Sequence, residues 1–300
     1  MNDFPLVSVI TPTYKRPDTL PRTIDSVLNQ TYSSVEIIVV DDNNPDSEGR
    51  KRTETIMAPY ADNPRVRYIK HEKNKNGSAA RNTGVRNSTA KYIAFLDDDD
   101  EFLPEKIEAQ VKKLESLPKE WGCCYSLAYT KKQDGPLVPL EENREGNLFL
   151  DALTRDLSFV AGSNLMVRRD VFDEVGGFDE TFKRNQDKEF VTKVLHKYKI
   201  AYSQTPGVIV YVHDNHSYFK ALDVDRQYIE CFANYVSTLS KEEQNYFYKR
   251  TYLMMFYHAI RVDKEFWTAT KLILTGKVNI FTAIGHMIKK AKKSLDSKHK

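Results

Sequence analysis

Residues 6–117 alternate short apolar runs with polar or amphipathic stretches four times over, and this alternation restricts the fold more than any other property of the chain. Leu6 to Thr11 precedes helical spacing over Thr19 to Gln30, and Val35 to Asp41 precedes a polar segment from Asp46. Arg65 to Lys70 leads into Ser78 to Asn87, and Tyr92 to Leu96 into Pro104 to Leu117. Repeated strand–helix alternation calls for an α/β fold, a mostly parallel sheet covered by helices on both faces. Val7, Val9, Ile37, Ile38, Val39 and Val40 are β-branched, as suits strands buried on both sides.

Ligands of such sheets bind outside the carboxyl ends of the strands. Here those ends read Thr11-Pro12-Thr13-Tyr14, Asp41-Asp42-Asn43-Asn44 and Asp97 to Asp100, so three polar or acidic ends converge on one crevice. Four consecutive aspartates repel one another and need a reason. A divalent cation supplies one, because hard carboxylate oxygens suit Mg²⁺ or Mn²⁺, which are commonly shared with substrate phosphates. The alternative is a solvated acidic turn. Phe102 argues against an EF-hand calcium loop, since it stands where that loop requires glycine.

Three hundred residues with 40% hydrophobic content suffice for one large core or a main domain with an appendage. A net charge of +3 argues against a dedicated nucleic-acid binder. Cys123, Cys124 and Cys231 have neither disulfide-framework nor zinc-ligand spacing and read as reduced thiols. No secretory leader or membrane span is recognisable, so a cytoplasmic protein is expected. Beyond about residue 120 the pattern becomes a mixed α+β half suited to a second substrate, with strands at Tyr125 to Thr130 and Leu165 to Val167 and a helix over Arg169 to Val175. From Tyr218 onward the chain reads as helical. The expected division is therefore 1–217, with halves 1–120 and 121–217, followed by 218–300.

Val7 to Tyr14, Val39-Val40-Asp41-Asp42, Phe95 to Asp100, Gly176-Gly177-Phe178-Asp179-Glu180 and Gln186-Asp187 occur in an order that resembles glycosyltransferase family 2, whose fold is GT-A. The resemblance covers roughly the first 215 residues. It implies a metal-dependent inverting hexosyl- or N-acetylhexosaminyltransferase using a nucleotide-diphosphate sugar, with UDP as the expected nucleotide. The implied acceptor is a glycan or lipid-linked hydroxyl in surface polysaccharide or lipooligosaccharide biosynthesis. A metal that bridges diphosphate oxygens stabilises the leaving group in such a transfer.

By position in the family's Asp-x-Asp motif, Asp97 faces the donor ribose and Asp99 the metal, Mn²⁺ or Mg²⁺. Asp98 is an alternative for the ribose, and Asp100 either binds metal or begins the following helix. Asp42 matches the acid that accepts from the nucleobase, its alternative being a turn residue, while Thr11, Pro12 and Tyr14 wall the nucleoside pocket. Arg81, in Asn76-Gly77-Ser78-Ala79-Ala80-Arg81-Asn82-Thr83-Gly84, matches a donor-site cation at a helix start. Asp187 is the candidate general base, with Gln186 replacing the family's usual glutamate and Glu189 as rival. His213 or His216 reaches the metal or diphosphate, with His213 favoured, and Ser163 and Asn164 line the acceptor pocket.

In the tail 279–300, Ile280, Phe281, Ile284, Met287, Ile288, Ala291 and Leu295 recur at helical spacing beside a run of lysines. Such a helix either lies on a membrane or docks on the protein's own core. Two other functions are weighed. A sugar nucleotidyltransferase would want a glycine in the loop Thr13 to Pro17, which has none. A non-catalytic carbohydrate-binding scaffold would not need the acids and Asp187 together.

Overall fold

The computed structural model describes residues 4–132, 134–182, 184–213 and 220–296. They divide into two compact units, Met1–Asp214 and Asn215–Lys300. The first unit begins with β1 (Val7–Thr13), α1 (Leu20–Leu28), β2 (Val35–Asp41), α2 (Glu48–Met57), β3 (Val66–Lys70), α3 (Gly77–Arg86) and β4 (Tyr92–Phe95). It continues with β5 (Glu101–Phe102), α4 (Lys106–Glu115), β6 (Trp121–Lys131), β7 (Val138–Pro139), α5 (Phe149–Leu153) and α6 (Ala161–Asn164). It closes with β8 (Met166–Arg168), α7 (Arg169–Glu174), α8 (Gln186–Lys197) and β9 (Lys199–Tyr211).

These strands form one sheet in the order β3-β2-β1-β4-β8-β6-β9-β5, with β7 paired to β6. The first four strands are mutually parallel, with Val9 opposite both Ile37 and Ala94. β8 then pairs antiparallel with β4, and β6 antiparallel with β8. Successive strand residues point to opposite faces, and the buried side chains divide accordingly. Ile10, Ile38, Val40, Ile93 and Phe95 join one core; Val9, Ile37, Val39, Tyr92 and Ala94 join the other. Gly84 lets α3 lie close on the sheet, since a Cβ there would sit 2.4 Å from Ile10 Cγ2.

Two features depart from the expected elements. The strand expected at Tyr125 to Thr130 runs from Trp121 to Lys131 beside the long β9, whose pairing shifts register near Pro206 and Gly207. The chain after the acids enters β5, not a helix; α4 begins only at Lys106.

Lys106 is fully buried, donating from Nζ to Gln110 Oε1 at 2.6 Å and lying over the Phe102 ring. Burial lowers its pKa to about 7. Between that value and the ordinary lysine range the unfolded chain holds one proton more than the native one, so the Lys106 contribution to stability rises with pH, by up to ~1.4 kcal/mol per unit. Below both values the contribution is flat. Urea unfolding of wild type and Lys106→Met at pH 7.5, 8.5 and 9.5 should therefore give a variant advantage that shrinks as pH rises. Parallel curves would show that the native protein keeps Lys106 charged.

The second unit consists of α9 (Ala221–Cys231), α10 (Ala233–Ser237), α11 (Lys241–Arg261), α12 (Phe266–Leu274) and α13 (Ile280–Asp296). Ser240 and Glu243 form a capping box at the start of α11, which satisfies two otherwise orphaned helix donors. Leu222, Met255, Phe256, Ala259, Ala269, Leu272, Val278 and Ala283 make this unit's core. Among the described residues no helix is long and apolar enough to cross a membrane.

Candidate active site

The ends of β1, β2 and β4 meet at a cavity of about 240 Å³ lined by Pro12, Thr13, Tyr14, Arg16, Asp42, Gly77, Arg81, Asp97 and Asp98. Six of these, Pro12, Tyr14, Asp42, Arg81, Asp97 and Asp98, are residues the sequence places at the donor. Thr11 is fully buried within β1 and is not among the lining residues, so Thr13 takes the wall position expected of it. The two-residue side-chain period of the strand accounts for the substitution.

The four aspartates turn four ways. Asp97 pairs with Arg81, which reaches it from the first turns of α3. A Cβ at Gly77 would stand 3.0 Å from Arg81 Nη1, so the glycine leaves room for the arginine to fold over the helix start. Asp98 Oδ2 accepts from Thr13 Oγ1 at 2.7 Å, and burial above all pushes its carboxyl up to about 7. Asp99 pairs with Arg16, and its Oδ2 stands 3.2 Å from His213 Nε2. Asp100 turns inward, accepting from Ser163 Oγ and from the Tyr211 N–H at 3.0 Å. Asp100 therefore braces the strand ends and caps no helix.

Asp99 is raised and Asp100 raised well above the ordinary carboxylate range, burial being the largest cause in both. Buried acids held this close want a cation. The Asp99 carboxylate and His213 imidazole, with donor atoms 3.2 Å apart, are a ligand pair suited to a divalent metal such as Mn²⁺. Arg16 holds part of that countercharge in this structure, 3.8 Å from Asp98 Oδ1 as well. His216, the other candidate, lies outside the described residues.

Asp42 lines the cavity with its carboxylate already engaged by four donors. Its Oδ1 accepts from His71 Nδ1 at 2.8 Å and the Lys75 N–H at 2.7 Å; its Oδ2 accepts from Asn74 Nδ2 at 2.8 Å and the Asn76 N–H at 2.9 Å. A carboxylate has about four acceptor sites, so a nucleobase N–H would have to displace one of these donors. In this geometry Asp42 shapes the wall by ordering the loop that leads into α3. Asp41 beside it is buried against Arg50, and Arg50 also donates to the carbonyls of Asn43 and His71.

Asn76 caps α3 with φ of +87°, its Oδ1 accepting from the Ser78 and Ala79 N–H groups. Asn82 then ties α3 to the Gly-Gly-Phe-Asp-Glu segment, donating to Phe178 O and accepting from Phe178 N–H. Phe178 packs on Phe95 of β4 and stacks on Phe190 of α8 at 4.4 Å. One aromatic cluster thus joins the acid-bearing strand to the helix that carries Asp187.

Asp187 lies in the first turn of α8 and lines a second cavity, about 250 Å³, with Arg155, Ser158, Val160, Ala161, Lys188 and other neighbours. The helix α6 links the two cavities: Ala161 lines the second, and a Cβ at Gly162 would come within 2.9 Å of Asp97 Oδ2. Val160, just before α6, has φ of +55°. Left-handed backbone is a strained state for a β-branched residue and clusters at functional sites. Glu189, the rival base, is buried, paired with Lys193 at 2.8 Å and accepting from the Asp179 N–H.

Ser163 and Asn164 are not at an acceptor surface. Both are fully buried. Ser163 Oγ accepts from the Asp97 N–H and donates to Asp100, while Asn164 bonds Ser126 through both Oδ1 and Nδ2. A polar residue between two strand ends is as well suited to satisfying buried backbone groups as to binding a ligand. Arg16 is the main residue that motif reading passed over, although a cation in the loop after β1 was visible opposite the acids.

The comparisons agree on one family. The description Glycosyl transferase family 2 matches residues 8–176. An uncharacterized glycosyltransferase of Rickettsia typhi is 30% identical over 243 residues, spanning 80% of this chain and 74% of its own length. The chain belongs to glycosyltransferase family 2. The amylovoran biosynthesis glycosyltransferase AmsB of Erwinia amylovora is 28% identical over 186 residues, 60% of each chain. Among solved structures, S. aureus TarS 1-349 in complex with UDP-GlcNAc superposes with a TM-score of 0.61 at 16% identity, covering 84% of this chain and 81% of that one. The shared fold is the GT-A type, and as a family 2 member this chain is a glycosyltransferase.

Proposed function

We propose that this glycosyltransferase moves a sugar, with inversion, from a UDP-sugar to a hydroxyl of a glycan or lipid-linked oligosaccharide. We assign it to surface polysaccharide or lipooligosaccharide synthesis at the cytoplasmic face of the cell membrane. The observation that carries the reading is the strand-end cavity, which collects Pro12, Tyr14, Arg81, Asp97 and Asp98 beside the Asp99–His213 pair. The UDP-GlcNAc complex of TarS and the amylovoran pathway of AmsB support the donor and product classes.

In this reading Tyr14 and Pro12 flank the nucleoside, Asp97 and Asp98 face the ribose, and Arg81 offers its guanidinium to donor oxygens. Asp99 and His213 would hold the Mn²⁺ or Mg²⁺, which would supply Lewis-acid neutralisation of charge on the leaving diphosphate. Asp187 accepts the acceptor's hydroxyl proton. The acceptor oxygen then bonds to the anomeric carbon while the carbon–oxygen bond to phosphate breaks, and its electron pair leaves with the diphosphate. The Asp187 cavity receives the acceptor.

A panel of nucleotide sugars with Mn²⁺ tests this, read by thermal stabilisation and slow donor hydrolysis. One UDP-sugar at a hundred times its Kd should stabilise the fold by ~2.7 kcal/mol, and chelation or Asp99→Ala should remove the effect. Stabilisation by no nucleotide, or by all alike without metal, would overturn the reading.

A further inference from the structure

The apolar stripe of α13 is divided between two environments. Ala283 is buried and Met287 packs on the unit's core, while Ile280, Phe281, Ile284 and Ile288 are exposed, Phe281 by 80%. The preceding helix α12 repeats the division: Ala269 and Leu272 face the core, whereas Phe266, Trp267 and Leu274 are exposed, the last two by 75% each. Large apolar residues exposed in series mark an interaction surface. Residues 266–295, moreover, contain six lysines and no acid.

We propose that α12 and α13 form a surface that lies in the interfacial zone of an anionic bilayer. This deepens the reading of a lipid-linked acceptor, because it would hold the enzyme where such an acceptor resides. Charge selects the occupant: six lysines against the single acid Asp296 at the end of α13 favour an anionic face, and each lysine contributes attraction to an acidic leaflet. The apolar residues exclude a purely ionic partner, since a nucleic acid offers little to Phe281, Ile284 or Leu274. Tryptophan favours the membrane–water boundary, and helices with a basic polar face and large apolar side chains lie there in plane. A second copy would set lysines against lysines.

Flotation of the full chain with vesicles of phosphatidylcholine alone, or mixed equally with phosphatidylglycerol, tests the proposal. The wild type should float with the anionic vesicles. Trp267→Ser/Phe281→Ser should weaken that binding at least about tenfold with an unchanged melting temperature, because both side chains are exposed. Replacing Lys289, Lys290, Lys292 and Lys293 by Gln should abolish the preference for phosphatidylglycerol. The proposal is overturned by absence of flotation, by equal flotation of the Trp267/Phe281 variant, or by these substitutions instead abolishing self-association or binding of single-stranded RNA. UDP-sugar stabilisation measured without vesicles reports on the donor site separately, so failure of one reading is distinguishable from failure of the other.

Discussion

Asp187→Asn should lower kcat by about 10² to 10⁴ while leaving the donor Kd nearly unchanged, the loss typical of removing a general base. The carboxamide has almost the same shape but cannot take the acceptor proton. Asp187 is half-buried in the first turn of α8, where it lines the 250 Å³ cavity together with Ala161, the neighbour of the Gly162 that borders Asp97. Asp187 is not among the residues lining the cavity of Asp97 and Asp98, so UDP binding serves as the control. The readout is a split: acceptor-dependent turnover falls, whereas UDP-sugar stabilisation in the presence of Mn²⁺ persists. Glu189→Gln should do the reverse. That carboxylate is buried against the partly exposed Lys193, so its neutralisation removes the lysine's countercharge, leaving it only the Gly177 carbonyl, and destabilises the fold without a specific loss in kcat. Near-normal turnover in Asp187→Asn would remove it from the mechanism and leave the second cavity without a base.

The contrast between Asp187 and Glu189 shows what was legible in the sequence and what was not. Strand–helix periodicity sufficed for the parallel half, because residues such as Val39 and Val40 are apolar for a reason local to their strand. The strand ends were legible for the same reason, since a polar residue directly after a buried strand must lie at the sheet's edge. Partners were not legible. Whether Asp42 faces a ligand or the 71–76 loop depends on four donors distant in sequence. Ser163 likewise looked available for an acceptor, yet Asp97 and Asp100, more than sixty residues earlier, occupy it. The strand β5 carries only two residues, too few for any periodicity, and its place is set by pairing with β9. Resemblance to the family offers positions; which of them have polar atoms free for a ligand depends on long-range hydrogen bonding that no local pattern encodes.

Asp99 and Arg16 should respond to substitution in opposite directions when Mn²⁺ binding is measured without nucleotide, by electron paramagnetic resonance titration. Asp99→Ala removes the carboxylate whose Oδ2 stands 3.2 Å from His213 Nε2, and metal binding should be lost over the accessible range, since Mg²⁺ and Mn²⁺ sites of this kind rest on one or two carboxylates. Arg16→Ala removes the cation that occupies the same oxygen. Its side chain is 43% exposed, which confines the pair to the strength of a solvent-screened bridge, so metal binding should tighten by about fivefold, equivalent to ~1 kcal/mol. With a UDP-sugar added, the two variants should converge. Asp99→Ala loses donor binding through the metal, and Arg16→Ala weakens it because a cation lining the donor cavity is no longer there to meet the diphosphate. A merely structural Arg16 would leave the sign wrong, its loss loosening the acid cluster and weakening Mn²⁺ and donor together. Tighter metal with weaker donor identifies Arg16 as the residue that exchanges Asp99 for phosphate when the site fills.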